Sequence, residues 1–288
     1  GVGVSYTPYL NKLVKDIFLG NITYYKRTQR SAWGASLTYF SIGNVSLTQD
    51  FGGSATVLGS FRPTEFTFDL SYNLKLSEHF AMGVAARYLN SNLQLPTDDK
   101  AIARGLGFDI SGYYTSAFHL IGNYTGSYSF GFQLSNIGAK VKYDDLGKSF
   151  FLPTNLKLGV AYHLMTDSYN RFSLLTEVNK LLVPSTEAKD KDFIEGLFPS
   201  FSDAPNGFSE ELHELIWAVG AEYAFDEQLF LRTGYYHQHK NKGDRQYITV
   251  GAGFAFHSFK LDVAYLFNTS STNNPLNSSL RAGLQYVF

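Results

Sequence analysis

Cysteine is absent from this chain. That excludes disulfide staples, thiolate metal sites and a cysteine nucleophile. Long apolar runs are absent too. Nowhere do about eighteen apolar residues follow one another, so no membrane-spanning helix is available. Strands that are only half apolar escape such a scan, which leaves a membrane barrel untouched. Excess charge of either sign is lacking, with 24 basic residues against 25 acidic ones and a formal net charge of -1. Neither nucleic acid nor a strongly anionic surface is therefore expected as a partner. The sequence holds no G-x-S-x-G, no H-E-x-x-H and no phosphate-binding loop, so no catalytic residues, metal site or cofactor are expected. Gly1 to Tyr6 already reads as a strand rather than a charged-then-apolar leader, and a targeting segment is expected outside the sequence.

Aromatic residues and glycine are plentiful: 25 Phe, 20 Tyr and 26 Gly among 288 residues, against 2 Met. That mixture favours strands and tight turns over helices. The pattern is plain in the last residues, where Leu280, Ala282, Leu284, Tyr286 and Phe288 alternate with Arg281, Gly283 and Gln285. Successive strand side chains point to opposite faces, so this stretch has one apolar and one polar face. It closes on an aromatic residue, like the terminal strand of bacterial outer-membrane barrels. Phe66, Phe68, Leu70 and Tyr72 repeat the alternation against Glu65, Thr67, Asp69 and Ser71. So do Leu156, Leu158, Val160 and Tyr162 against Asn155, Lys157, Gly159 and His163.

About fourteen such strands can be counted, an even number as in single-chain bacterial barrels. Their connections alternate long and short, the short ones centring on residues 28, 77, 120, 167, 227 and 257. All short turns then lie at one end and all long loops at the other. A soluble sandwich shows the same strand alternation. It does not require that asymmetry, nor aromatic residues at the ends of the apolar faces, nor polar faces rich in Gly, Ser, Thr and Asn. The expected fold is all-β: a transmembrane antiparallel up-and-down β-barrel of about fourteen strands, one domain over residues 1–288. It belongs in a bacterial outer membrane and in contact with its lipid, with periplasmic termini and extracellular long loops. Between strands we expect a helical turn from Pro8 to Asp16, an irregular region from Asn44 to Pro63, and a polar loop from Ser91 to Arg104. The longest insertion, about 182–214, should end in a helical turn from Ser209 to Glu214 capped by Ser209.

Several residue sets could carry chemistry. By parity the lumen receives Glu65, Asp69, Asp109, Glu177, Glu222 and Asp262 together with Arg87, Lys157, Arg232, Lys260 and Arg281. The signs nearly cancel, so structural pairing across the lumen is preferred to an ion-selective channel. His237 and His239 flank Gln238 without a carboxylate cluster at ligand spacing, and a solvated loop is the simpler account. A hydrolase would need an inward nucleophile beside a histidine, and inward His163 has no partner evident in the sequence. The insertion places Phe193, Leu197, Phe198, Phe201 and Phe208 in a polar loop, the composition of a partner-binding surface. The plainer account has them folding down as a lid.

Three stretches carry a family resemblance. Val4-Ser5-Tyr6-Thr7-Pro8-Tyr9-Leu10 with Leu13-Val14-Lys15-Asp16, Phe132-Gln133-Leu134-Ser135-Asn136-Ile137-Gly138, and Phe151 to Val160 resemble the PorV family of the Bacteroidetes type IX secretion system. The resemblance spans most of the chain and is weakest around 182–214. It implies a FadL-like barrel and a non-enzymatic role. Members of the family associate with a giant translocon barrel, SprA or Sov, receive cargo by its type IX C-terminal domain, and pass it to a PorU-containing attachment complex. It also implies an N-terminal segment entering the lumen, which would precede Gly1. The competing reading is a FadL-like outer-membrane channel for hydrophobic small molecules, against which the polar, charged inner faces count.

Overall fold

The computed structural model describes residues 1–9, 16–50, 55–93, 102–143, 149–184, 193–270 and 279–288. Among these residues there are seventeen strands: β1 (Val2–Pro8), β2 (Phe18–Arg27), β3 (Ser31–Ser41), β4 (Val45–Asp50), β5 (Ala55–Phe61), β6 (Thr64–Lys75), β7 (Phe80–Asn92), β8 (Ile102–Thr115), β9 (His119–Ile121), β10 (Tyr124–Ile137), β11 (Asn155–Met165), β12 (Asn170–Leu181), β13 (Ile216–Phe225), β14 (Leu229–His237), β15 (Gln246–Phe256), β16 (Phe259–Asn268) and β17 (Leu280–Tyr286). Fourteen of them make a closed antiparallel ring, running β1-β2-β3-β6-β7-β8-β10 and then β11 through β17. The ring closes where β1 pairs with β17, in register from Val2↔Tyr286 to Tyr6↔Ala282. Closure gives the wall strands partners on both sides, which a spanning sheet needs because lipid offers no hydrogen bonds. Among the described residues no helix is long and apolar enough to cross a membrane.

The facing follows from the alternation. Leu174 is 67% exposed, Leu106 60%, Trp33 59% and Ile22 54%, all on the outside of the ring. The buried set is the reverse of a soluble core, with Ser41, Ser91, Asp109, Ser127, Ser129, Ser173 and Asn179 among its members. A sandwich burying its apolar faces would have the two sets exchanged. Aromatic pairs such as Trp33–Tyr72, Phe172–Tyr223 and Phe259–Tyr286, with ring centroids 4.6, 5.0 and 4.9 Å apart, lie toward one end of the outer face. That is where an interfacial girdle belongs.

Tight turns join strands at one end. Asp226 and Glu227 both take positive φ between β13 and β14, and His257 does so between β15 and β16, as primed hairpin turns require. Asp167 organises the β11–β12 turn, its carboxylate accepting from the Tyr169 and Asn170 amides at 2.8 Å each.

At the other end the structure departs from several expectations. The region from Asn44 to Pro63 is not irregular: β4 and β5 form a separate two-stranded hairpin, outside the barrel sheet, with a register irregularity at Leu47/Thr48. Its signal was Gly52-Gly53 between two strand-like runs. Residues 51–54 themselves lie outside the described set. Strand β7 continues to Asn92 and β8 begins at Ile102, so both ends of the expected 91–104 loop belong to the wall. Back at the tight-turn end, the short connection after β8 holds β9, paired with the start of β10. The expected turn between Pro8 and Asp16 falls largely on residues 10–15, outside the described set.

Candidate interaction site at the long-loop end

The connection from β12 to β13 carries helix α1 (Phe193–Leu197), a 3-10 turn (Pro199–Phe201) and helix α2 (Phe208–Glu214). Helix α2 starts one residue earlier than expected, and its N-cap is Gly207 at φ 74°, with no side-chain cap. Ser209 therefore sits inside the first turn. The acids Glu210 and Glu211 do fall there, where they complement the helix dipole.

Two lysines fasten α2 to the barrel rim. Lys180 Nζ, at the end of β12, donates to Glu211 Oε2 at 2.7 Å and Glu214 Oε2 at 2.8 Å. Lys242, in the 3-10 turn Lys240–Lys242 between β14 and β15, donates to Glu210 at 2.6 Å and Glu214 at 3.0 Å. The other oxygen of Glu211 accepts from the Ala204 amide at 2.9 Å. Lys180 and Glu211 are both buried, so the pair holds only because each charge is satisfied. The imidazoles of His213 and His239 stack at 3.7 Å between the same two elements. Gly196 in α1 allows close packing on the β10–β11 connection, since an added Cβ would lie 3.1 Å from Phe151. Glu211 and Glu214 come together with Asp203 in one acidic group. Lys180 and Lys242 already pair with its two glutamates.

On this fixed frame the apolar side chains point outward. Phe198 is 70% exposed, Phe208 77%, Phe201 47% and Leu212 51%. Leu197 is half-buried. Phe193 lies in α1, and its side chain is outside what is described. Exposure of Phe198, Phe201 and Phe208 goes against the lid alternative for those three. The charge pattern did not single out Leu212, one helical turn from Phe208 on the same face of α2. Hairpin β4–β5 adds exposed Val45, Val57 and Leu58 at the same end.

The lumen is polar and mostly paired, as parity suggested. Arg87 donates to Asp69 at 2.5 Å, to Asp109 at 3.3 Å and to the Asn136 side chain. Arg232 bridges Glu222 at 2.7 Å and Asp262 at 2.5 Å. Lys260 lies 4.7 Å from the Phe230 ring centroid. The reading of His163 as partnerless is corrected: Ser173 Oγ lies 2.8 Å from Nδ1 and Ser129 Oγ 3.3 Å from Nε2. Ser173 also accepts from Arg171 at 2.9 Å, and both serines are buried. The spacing of ten residues hid this contact. It arises because β11 and β12 pair His163 directly with Ser173. Among the described residues neither His237 nor His239 meets a carboxylate. His237 stacks on Trp217 at 4.9 Å, and His239 on His213.

The model of the family described as "Type IX secretion system protein PorV" matches residues 1–188 of the 288. The chain belongs to the PorV family. It is accordingly an outer-membrane component of type IX secretion. The match stops inside the β12–β13 connection, before α1. Among solved structures it is similar in fold to the toluene transporter TodX of Pseudomonas putida, with a TM-score of 0.52, 12% identity, and 98% of this chain and 86% of that one covered. TbuX, the toluene transporter of Ralstonia pickettii, has a TM-score of 0.52 and 14% identity over 100% of this chain and 88% of that one. At such identities the likeness concerns the FadL-like barrel alone. Curated proteins give no match.

Proposed function

We propose that this PorV-family barrel is a non-enzymatic carrier whose long loops face the cell exterior and whose termini face the periplasm. In this reading the long-loop end engages a translocon barrel of the SprA or Sov kind. It receives cargo by the type IX C-terminal domain and delivers it to a PorU-containing attachment complex. The observation that carries the reading is the rigid apolar platform of Phe198, Phe201, Phe208 and Leu212. Phe208 and Leu212, held out into water by a helix that is itself bolted down, and exposed Phe198 and Phe201 in the turn before it, cost solvation unless a partner covers them. Aromatic anchors of this kind dominate protein–protein interfaces. Phe193 and Leu197 belong to the same platform in this proposal. The wall supports the non-enzymatic part, since Ser173, the one lumenal hydroxyl within 3 Å of a histidine among the described residues, is buried and already held by Arg171.

The test is gentle extraction of the chain carrying Phe198→Ser, Phe201→Ser and Phe208→Ser from native outer membrane. The expected result is an intact, heat-modifiable barrel from which translocon and cargo are largely lost. Unchanged recovery of both would remove the platform from the interface.

A further inference from the structure

Leu120 is the most exposed large apolar side chain among the described residues, at 79%, and Phe118 is 69% exposed. Both belong to the connection from β8 to β10 at the tight-turn end. Lipid does not account for Leu120. Neighbouring residues of β9 face opposite ways. Ile121 pairs with Tyr124, on the side of outward Tyr128, whereas Leu120 pairs with Thr125, on the side of buried Ser127 and Ser129. Leu120 thus faces the mouth of the barrel, where water surrounds it unless a partner covers it.

Basic side chains border the same mouth. Arg27 pairs across the ladder with Ala32, and Lys75 with Ala81. Both partners alternate with outward residues, so both cations leave the rim on its inner side. Lys26, opposite outward Trp33, is on the lipid side. Arg27, Arg30 and Lys75 surround a hollow of about 340 Å³, bordered also by Ser77 and Glu78. All three cations are exposed, and none forms an ion pair among the described residues. With Glu78 as the single acid, the lining carries a net charge of +2. Across the mouth, the β11–β12 and β13–β14 turns carry Asp167, Asp226 and Glu227 instead, with Arg171 paired to Glu227. The net charge of -1 for the whole chain conceals this division of the rim by sign.

Backbone bonds join the basic and apolar parts. The Lys75 amide donates to the Arg30 carbonyl at 2.8 Å, the Thr115 amide to the His79 carbonyl at 2.9 Å, and the Ser116 amide to the Tyr128 carbonyl at 2.8 Å. The turns from β2 to β10 therefore form one continuous frame, and a preformed surface loses little entropy on binding.

We infer that this side of the tight-turn end is a docking surface for an acidic polypeptide segment with a large apolar anchor. Its carboxylates lie against Arg27, Arg30 and Lys75, and its anchor against Phe118 and Leu120. Clustered charge of one sign steers such a segment to this side of the mouth and away from the acidic side. A lipid headgroup is the poorer occupant, because Arg27, Lys75 and Leu120 lie on the face turned away from the bilayer. No residue is shared with the long-loop platform. Placing the partner in the periplasm rests on the orientation proposed above; the docking itself does not.

The experiment follows the fluorescence anisotropy of a short labelled peptide of glutamates interrupted by leucines, titrated with the full purified chain in neutral detergent at low salt. One control peptide carries lysine for every glutamate, and another serine for every leucine. The glutamate–leucine peptide is expected to bind and the lysine peptide not. The leucine-free peptide should bind about tenfold more weakly. Arg27→Gln, Arg30→Gln and Lys75→Gln together should weaken binding about tenfold, and so should Phe118→Ser with Leu120→Ser. Lys240→Gln, at the long-loop end, should leave it unchanged. If the triple variant does not give a heat-modifiable barrel, Arg30→Gln with Lys75→Gln replaces it, and a several-fold loss is expected. No binding by the parent, equal affinity for the lysine peptide, or equal binding by either set of variants would each overturn the surface. Displacement by short-chain phosphatidylglycerol below its micelle-forming concentration would overturn it too, giving the rim to lipid. Translocon recovery reads the platform and is decided separately.

Discussion

Leu284 and Gln285 are adjacent in β17 and live in different solvents. Leu284 is 45% exposed on the outside of the ring, whereas the Gln285 side chain donates to Tyr25 Oη at 3.1 Å inside it. An arginine on the lipid face costs about 2 kcal/mol or more, depending on depth. Loss of a single neutral hydrogen bond at a partly hydrated site costs about 1 kcal/mol. Leu284→Arg should therefore lower the midpoint of urea unfolding in vesicles and impair assembly, while Gln285→Ala should stay close to the parent. Heat-modifiability on gels reads both. Equal effects would mean the two faces are wrongly assigned. This contrast was legible from alternation alone, because strand parity is fixed by geometry. The partner of Arg87 in β10, Asn136, was not. It depends on a backbone irregularity between Leu134 and Ile137, with Asn136 at φ 58°, that no periodicity announces.

At the scale of elements, α2 behaves as a latch. Lys180→Ala would leave Glu211 buried with half of its partners, and breaking a buried pair costs about 3 kcal/mol. That loss should fall on the latch rather than the barrel, since α2 contributes nothing to the wall. The expected outcome is rapid proteolysis within 193–214 from a barrel that still shows heat-modifiability. Replacing both partners, Lys180→Met with Glu211→Leu, should restore protection, because no orphan charge remains.

The latch should also answer to pH. Glu210 is held below the usual carboxylate range by the Lys242 ammonium and the Asn206 amide. Burial pushes Glu211 up, but Lys180 and the Ala204 amide pull harder, leaving it below that range as well. Lys242 is raised by Glu210, against the opposing effect of burial. Depressed carboxylates contribute stability that is complete above their unfolded values and lost as pH falls through the folded ones. A raised lysine contributes below its unfolded value and loses that contribution as pH rises through the folded one. The window runs from about pH 5 to about pH 10. Proteolysis of the 193–214 segment should be slow inside it and accelerate in acid. A flat profile down to about pH 3 would remove the carboxylates from the latch. Sequence suggested a helical turn with acids in front, yet not its fastening, because Lys180 and Lys242 lie 31 and 28 or more residues from their acids. Only the ring order of the strands brings them together.

For the whole molecule, strand number and facing could be read from the chain because a barrel repeats one rule fourteen times. What loops do obeys no such repeat, and hairpin β4–β5 shows the difference. It stands outside the barrel sheet with Val45, Val57 and Leu58 exposed. A lone two-stranded hairpin is marginal in water, so its persistence at the same end as α2 suits a partner that adds area to both. If the carrier reading is right, Val57→Ser with Leu58→Ser should cut recovery of the translocon several-fold in gentle extractions. The unfolding midpoint of the barrel should not move, since neither side chain is buried in the free chain. Recovery and midpoint falling together would instead mean that the hairpin braces the barrel. A midpoint that holds while recovery falls assigns its apolar surface to the partner.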